Sequence, residues 1–338
     1  MKITTTGPAP IGLTLVAFLA GTLLSACAQV GAEPPAAANL AALRLAVEDF
    51  MADGPEAYPN GPEVLKRIAA YEARLGQSQD EPLLRELAAF QREVLLSNPL
   101  LKDIDRVLVV RRNAGDPALG LPQNWQGNCS LPLNKYDNEI ATFSLHQPEP
   151  GLKRLFKPDK PLFVGDVDPH FDGDRMLFSM PGSHGRSQIW EIRADGTGLR
   201  QVTPGAEGDV DNYDACYLPD GRIVYGTTAC YQGIPCVAGG DFVANLCVMN
   251  ADGTGARLLC FDQDHDWCPV VLNNGRVMYT RWEYADLPHS NTRLLFHMNP
   301  DGTGQMEYYG SNSYWPTAVM YARPVPNHPT KVAAIVTG

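Results

Sequence analysis

The sequence predicts a mainly β protein: a β-propeller of four-stranded blades, incomplete in this chain, preceded by a short helical segment. Two repeated phrases support this prediction. One is Asp-Gly-Thr-Gly, found at 195–198, 252–255 and 301–304. The other is an arginine followed by two apolar residues and an aromatic, found at 175–178, 222–225 and 276–279. A period of roughly 50 residues with glycine-punctuated short strands is typical of propeller blades.

The turn residues explain why the repeat should form a sheet. Asp-Gly and Asn-Gly favour hairpin turns, because glycine adopts positive φ without a Cβ clash. Each blade is therefore predicted as strand, Asp-Gly turn, strand, variable connection, strand, Asp-Gly-Thr-Gly turn, strand. One such sheet cannot bury both faces alone, so the blades must stack around an axis. The alternative is three unrelated turns, but the flanking residues repeat in phase with the turns.

The β region is predicted to occupy residues 99–338, in several units. Strands are expected at 106–112, 139–145 and 331–336, and blades at 162–205, 206–261 and 262–310. A further blade would begin near Ser311. An unpaired sheet edge invites aggregation, so we expect the propeller to continue beyond Gly338. A four-bladed propeller, or one closed by exchange of strands, is the alternative.

The first 27 residues have the pattern of a bacterial lipoprotein signal peptide. The apolar run 11–24 is short for a membrane span and suits a signal-peptide core. Leu24-Ser25-Ala26-Cys27 then matches a lipobox, in which lipid is attached to the Cys27 sulfur and the chain is cut before it. The sequence thus predicts an exported protein, anchored to the membrane by its N-terminal lipid, on the periplasmic side or at the outer membrane. An ordinary signal peptide with an incidental Cys27 is the alternative.

The residues between the signal peptide and the propeller are predicted to be a tether and a helical segment. Residues 28–38 are rich in alanine, proline and glycine, as in a tether. Segment 39–98 shows helical spacing of apolar residues over 40–51, 62–75 and 82–96. The apolar stripes of these helices are interpreted as packing faces rather than as membrane or cofactor surfaces.

Charge and cysteine content limit the functions open to the chain. The net charge is −11, which argues against a nucleic-acid partner because that would need basic patches. Seven cysteines remain besides Cys27, and an exported chain meets an oxidising space. We expect disulfides between Cys247 and Cys260, which flank one hairpin, and between Cys230 and Cys236.

Acidic pairs recur ahead of the first strand of each blade, where they would converge near the propeller axis. Such a rim suits Ca²⁺, or a transition metal where histidine contributes, and it would also attract a cationic protein partner to the propeller face. The alternative is that these residues cap turns or pin neighbouring blades. The candidate residues are Asp166, Asp168, His170, Asp209, Asp211, Asp214, Asp264, His265 and Asp266. We interpret Trp267, Trp282 and Trp315 as packing residues.

No catalytic or cofactor motif accompanies this rim. The sequence has no Cys-x-x-Cys-His haem motif, no Cys-x-x-Cys zinc pair, and no His-Glu-x-x-His, P-loop or Gly-x-Ser-x-Gly motif. No cofactor is therefore evident in the chain beyond a possible divalent metal at the acidic rim.

Longer stretches resemble known families. The units ending in Asp-Gly-Thr-Gly resemble the propeller repeats of TolB-like proteins. Other stretches, covering roughly 99–338, resemble the exported proteins similar to the hydrazine synthase alpha subunit. They are GLPQNW (120–125), YDNEIAT (136–142), DVDNYDACYLPDGR (209–222), FDQDHD (261–266) and YGSNSY (309–314). This resemblance implies an exported propeller that continues past Gly338, with a c-type haem bound by a later region.

The absence of a haem motif separates this chain from the haem enzymes of that group, and only Cys129 stands where relatives have a cysteine pair. Hydrazine synthesis is therefore not carried over. The leading expectation is a binding or scaffold module. The alternative is the propeller part of a haem-dependent redox enzyme. A carbohydrate-processing propeller would need two carboxylates at catalytic separation.

Overall fold

The computed structural model describes residues 39–52, 56, 58–116, 133–147, 151–234, 242–283, 293–310, 315–316 and 318–337. The predicted signal peptide with Cys27, the tether and Cys236 lie outside the described residues. The chain forms two compact units. One runs to Val107 and includes Phe143–Gly151, and the other comprises Leu108–Thr142 and the chain from Leu152 onward.

Three helices form the first unit, as the apolar spacing predicted. They are α1 (Leu40–Ala52), α2 (Gly61–Leu75) and α3 (Glu81–Leu96). Asp80 begins α3 because its carboxylate accepts a hydrogen bond from the Leu83 amide at 3.0 Å, which satisfies a free helix N–H. The apolar faces of α1, α2 and α3 bury Val47, Ile68 and Leu87 almost completely. None of the described helices is long and apolar enough to cross a bilayer.

The strands occur in sequential groups, as the repeats predicted. The first three are β1 (Arg106–Arg111), β2 (Glu139–Ser144) and β3 (Lys153–Phe156). Blade one comprises β4 (Gly165–Pro169), β5 (Arg175–Pro181), β6 (Ser187–Arg193) and β7 (Arg200–Gln201). Blade two comprises β8 (Asn212–Tyr217), β9 (Ile223–Thr227), β10 (Asn245–Met249) and β11 (Arg257–Leu258). Blade three comprises β12 (Asp266–Val271), β13 (Val277–Trp282), β14 (Arg293–Met298) and β15 (Met306–Tyr309).

The last two strands extend the sheet of blade three. They are β16 (Ala318–Pro324) and β17 (Val332–Thr337). Strands within each blade pair antiparallel in chain order. A single parallel bridge, between Arg293 in β14 and Ala318 in β16, joins this last pair to blade three. Among the described strands the blades form an open series of sheets, and the mainly β, four-stranded blade architecture is confirmed.

Each Asp-Gly-Thr-Gly turn is held by its own side chains and packs on the preceding sheet. In the first copy, Asp195 accepts hydrogen bonds from the Thr197 amide at 2.9 Å and from its hydroxyl at 2.7 Å. Gly196 has φ +87°, and a Cβ there would lie 2.7 Å from the Leu155 carbonyl oxygen in β3. Glycine is therefore required both for the turn and for the close approach of the preceding sheet.

The core lies between successive blades, with alternate residues of one strand facing opposite neighbours. In β10, Cys247 packs with Leu177 and Ile189 of blade one. Its neighbour Val248 packs with blade three, in the cluster that holds Cys260, Val277 and Met298. This alternation is the ordinary period of a strand.

The predicted disulfide between Cys247 and Cys260 is wrong. Both residues are free thiols, and the register pairs Cys247 with Leu258. Because Cys247 faces blade one and Cys260 faces blade three, their sulfurs lie on opposite sides of the sheet. Cys230 is also a free thiol, and its Sγ lies 3.1 Å from the Val243 carbonyl oxygen.

The tryptophans behave in two ways. Trp267 and Trp282 are buried in one cluster, as expected for packing residues. Trp315 is 63% exposed, so it does not belong to the buried core of the described residues.

Candidate functional site

The first strands of the blades share one irregularity, a β-bulge that turns one residue into left-handed backbone. The register shifts between Gly165 and Asp168 in β4, and β8, β12 and β16 shift at the corresponding place. The first strands of consecutive blades contact one another, so these bulges lie along one edge of the blade series. The residues with positive φ are Asp166 (52°), Asp214 (54°), Cys268 (52°) and Tyr321 (51°). We call these four residues the inner ring.

Hydrogen bonds link each member of the inner ring to the next blade. The Cys268 amide donates to Asp214 Oδ2 at 2.7 Å, and the Tyr321 amide donates to the Cys268 sulfur. The Asp214 amide donates to Ser179 Oγ at 2.9 Å, and the Ser179 hydroxyl donates to Asp166. The strained backbone is thus held by bonds between blades, a role that the sequence had offered as the alternative for the acidic residues.

Burial and like charge make the inner-ring carboxylates weak acids. Burial, and next the neighbouring Asp214, raise the pKa of Asp166 to about 7. Burial also raises the pKa of Asp214, although Arg323 opposes it. Asp168, two residues beyond Asp166, has a pKa raised to about 6 by burial, again opposed by Arg323. A buried carboxyl group beside another negative charge ionises less readily. A cation bound nearby would favour the ionised form.

One oxygen of the ring is left without a bond. Asp166 Oδ2 is buried and has no hydrogen-bond partner among the described residues. Arg323, whose charge acts on Asp166 and Asp214, has an exposed side chain. A buried unpaired carboxylate oxygen is a place where an ion or polar ligand would gain a bond.

The structure brings together three of the predicted candidates, Asp166, Asp168 and Asp214, and places others elsewhere. Asp211 accepts a hydrogen bond from the Ser187 amide of blade one at 2.7 Å and so ties blade two to blade one. Asp209 lies exposed in the connection between blades one and two.

His170 lies in the hairpin between β4 and β5. Its Nε2 accepts a hydrogen bond from Arg175 at 2.6 Å, and its Nδ1 lies 3.4 Å from Asp172. With Asp174 these side chains could hold a metal ion, but both aspartates are exposed. His170 is therefore part of a local surface cluster rather than of the inner ring.

The candidates from the third acidic segment occupy a separate, buried position. His265 Nδ1 accepts a hydrogen bond from the Ala244 amide at 3.0 Å, and its ring stacks on Trp267 and Trp282 at 4.5 and 5.5 Å between centroids. The Asp264 carbonyl accepts a bond from Asn245 at 3.3 Å. These contacts fix the entry to β12.

Asp266 forms an ion pair at the start of β12. Arg281 Nε donates to its Oδ1 at 3.0 Å. Burial raises the pKa of Asp266 to about 8 and outweighs the opposing charge of Arg281. Burial likewise raises the pKa of the adjacent Cys260 thiol.

Sequence reasoning missed Cys268, Tyr321 and Arg323, although a signal for Cys268 was present. Asp166, Asp214 and Cys268 each lie seven residues before the glycine of the first hairpin turn, at 173, 221 and 275. Alignment of the two Asp-Val-Asp segments instead made Asp209 the equivalent of Asp166 in the next blade. The turn glycine is the better reference, because it fixes the register of the strand that precedes it.

A second feature is a pocket of about 510 Å³ beside β2 and β3. It lies in the propeller unit, the compact unit that comprises Leu108–Thr142 and the chain from Leu152 onward. Its lining includes Lys135, Lys157 and Lys160 together with Asp116 and Asp137. Asp137 is paired with Lys157, and with Arg111 at 3.2 Å. This mixed lining suits a polar ligand, and none of the acidic-rim candidates contributes to it.

Comparisons with known proteins give similarity of fold alone. No protein-family model matches the sequence, and no curated protein matches it. Among solved structures, hydrazine synthase of Kuenenia stuttgartiensis is 15% identical with a TM-score of 0.48, over 64% of this chain and 33% of that one. TolB from Acinetobacter baumannii is 13% identical with a TM-score of 0.37, over 77% of this chain and 69% of that one.

A third similar structure is the β-propeller domain of the Trilobed protease from Pyrococcus furiosus. It is 13% identical with a TM-score of 0.36, over 62% of this chain and 50% of that one. The chain thus spans about a third of the hydrazine synthase chain that it resembles.

Proposed function

We propose that this protein is an exported, lipid-anchored β-propeller that serves as a binding module, and that the inner ring is its ligand site. The observation that supports this most directly is the placement of Asp166 and Asp214 at the same strained bulge of consecutive blades. Residues held in sparsely populated backbone conformations cluster at functional sites, and here two of them have carboxyl groups. A binding role needs no catalytic motif.

The ligand proposed for the ring is a hard cation, with Ca²⁺ as the test ion. Carboxylate oxygens are the ligands that Ca²⁺ prefers, and Asp166 Oδ2 has no other partner among the described residues. Arg323 and Arg112 supply part of the compensating charge, and both lower the pKa of Asp166. A bound cation would supply the rest.

The pKa values determine how binding should depend on pH. Asp166 and Asp168, with pKa values of about 7 and about 6, carry protons at pH 5.5 and are largely ionised at pH 8. Cation binding must displace those protons, so the affinity for Ca²⁺ should rise between these two pH values.

The test is calorimetric titration of the signal-free chain with CaCl₂ at pH 5.5 and pH 8. Asp166→Asn should weaken binding about tenfold or more at pH 8, because it removes one charged ligand. Asp220→Asn is the matched control, since Asp220 lies in an exposed hairpin turn and pairs with Arg222. No binding by the unmodified chain at pH 8, or equal losses in the two variants, would contradict the proposed site.

A further inference from the structure

A second group of metal-ligating side chains lies between blades two and three, apart from the inner ring residues. Cys260 follows β11, Asp266 begins β12, and Asp262 lies between them. The Cys260 sulfur and one carboxylate oxygen from each aspartate all lie within 4.8 Å of one another. Cys260 and Asp266 are completely buried, whereas the Asp262 side chain is 31% exposed. The group is therefore closed on two sides and open to solvent at Asp262.

Arg281 in β13 donates a hydrogen bond to each of the two carboxylates. It donates to Asp266 Oδ1 at 3.0 Å and to Asp262 Oδ2 at 2.6 Å. The guanidinium is itself fixed, because it also donates to Gln305 at 2.9 Å and stacks 4.5 Å from the Phe296 ring centre. The arginine thus orients both carboxylates and uses only one oxygen of each.

The remaining oxygen of Asp266 points to a missing ligand. Asp266 is completely inaccessible to solvent, so water cannot reach its Oδ2 atom from outside. This oxygen has no hydrogen-bond partner among the described residues. Leaving a buried acceptor unsatisfied is unfavourable, so native structures rarely keep one without a bound ion or water. One oxygen of the same carboxylate lies within 4.8 Å of the Cys260 sulfur.

The charge that these side chains would carry as a ligand set matches a divalent cation. Metal binding would displace the proton of Cys260 and ionise both carboxyl groups, which gives three negative charges, and Arg281 offsets one of them. A divalent ion would neutralise the other two. Burying unbalanced charge is strongly unfavourable, so ion and arginine together would make this group stable in the interior.

We propose that Cys260 Sγ, Asp266 Oδ2 and a carboxylate oxygen of Asp262 bind one divalent transition-metal ion of the zinc type. A thiolate ligand favours zinc-like ions over Ca²⁺ and Mg²⁺. Solvent would complete the tetrahedron on the exposed Asp262 side. Arg281 would act as the outer partner that orients the ligating carboxylates, a common feature of protein metal sites. Since the ligands join the end of blade two to the start of blade three, the ion would fasten these blades together.

The experiment uses Co²⁺ as a spectroscopic probe for zinc, on the purified signal-free chain treated with chelator and reductant. Co²⁺ bound to a thiolate gives a sulfur-to-metal charge-transfer band and the visible bands of a tetrahedral site. We expect both to appear at one equivalent and to disappear when Zn²⁺ is added. Zn²⁺ should also raise the unfolding temperature, because it binds only the folded chain.

Two variants and one control assign the ligands. Cys260→Ser should abolish the charge-transfer band, and Asp262→Asn, at a partly exposed position less critical for folding, should weaken Zn²⁺ binding about tenfold or more. Cys247→Ser is the control, because Cys247 is a buried thiol of the same blade that faces blade one. The proposal is overturned by a chain that binds no Co²⁺ with a charge-transfer band, or by a band that survives in Cys260→Ser. Asp166→Asn should leave the band intact, which separates this site from the inner ring.

Discussion

The side chains at the inner ring differ in chemistry but share one structural task. Asp214 and Cys268 each accept an amide hydrogen bond from the ring residue of the following blade. That bond explains why a residue other than glycine can be kept at positive φ. It does not require a carboxylate, since Cys268 makes it with sulfur. The ionisable carboxyl groups of Asp166 and Asp214 therefore go beyond what blade pairing needs, and this excess is the basis for the proposed binding role.

Asp166 should make the protein less stable as the pH rises from about 4 to about 7. Its pKa is raised from 3.8 to about 7, so between these values the folded chain keeps a proton that the unfolded chain has lost. The contribution of Asp166 to the free energy of unfolding is therefore fully present below pH 4 and is lost as the pH rises toward 7. In Asp166→Asn this contribution disappears. Urea unfolding at pH 5 and pH 8, without divalent ions, should show a smaller decrease in the variant than in the unmodified chain.

The same decrease in both chains would show that Asp166 is not the group responsible. Asp220→Asn serves as a control, since Asp220 lies in an exposed hairpin turn, where hydrogen bonds from Arg222 lower its pKa. Its pH dependence should match that of the unmodified chain.

At the scale of the turn, the repeated glycines have two separable functions. Gly253 and Gly221 have nearly the same positive φ, +86° and +88°. A Cβ on Gly253 would collide with the Val202 carbonyl oxygen at the end of blade one, whereas a Cβ on Gly221 would meet nothing within 4 Å. The pair therefore isolates the close contact between blades from the backbone requirement.

Gly253→Ala should destabilise the protein more than Gly221→Ala. The shared left-handed backbone costs ~1 kcal/mol in each variant. The collision in Gly253→Ala should add ~1–3 kcal/mol, as in other overpacked sites. Urea unfolding at a single pH measures both values. Equal losses would mean that the turn moves away from blade one at little cost.

The sequence predicted the features that neighbouring residues determine, such as hairpin turns and strands. It did not predict the features that depend on contacts between strands, such as the bulges and the facing of the cysteines. Hairpin turns and apolar runs predicted each blade, because Asp-Gly fixes a turn regardless of its surroundings. The bulge that places Cys268 beside Asp214 adds a residue to one strand, so alignment of acidic pairs gave a different register. The disulfide prediction failed similarly, because flanking one hairpin does not decide which face Cys247 or Cys260 occupies.

At the scale of the whole propeller unit, each pair of neighbouring blades is joined at three radial positions. The inner ring joins the first strands, apolar clusters fill the space between the sheets, and the outer strands contact the next turn. At the outer position, Arg200 donates to the Ala251 carbonyl at 2.9 Å, and Arg257 donates to the Asp301 carbonyl at 3.1 Å. Both proposed ligand sites lie at such junctions, so binding at either should stabilise blade packing.

The proposed lipid anchor would make membrane attachment depend on Cys27. The chain carries a net charge of −11, so anionic lipid surfaces would repel it rather than retain it. Acyl chains on Cys27 would provide the affinity, at ~0.8 kcal/mol for each buried CH₂ group, and stable anchoring takes more than one chain.

Cys27→Ser should accordingly move the protein from the membrane fraction to the soluble fraction of the exporting cell and remove the mass of the lipid from the mature chain. Cys129→Ser is the matched control, since it removes a cysteine far from the lipobox and should leave the protein in the membrane fraction. Fractionation followed by intact mass measurement reads both effects. An unmodified chain that is soluble and lipid-free would show that the ordinary signal-peptide alternative applies, and the inner ring would then act in a freely diffusing protein.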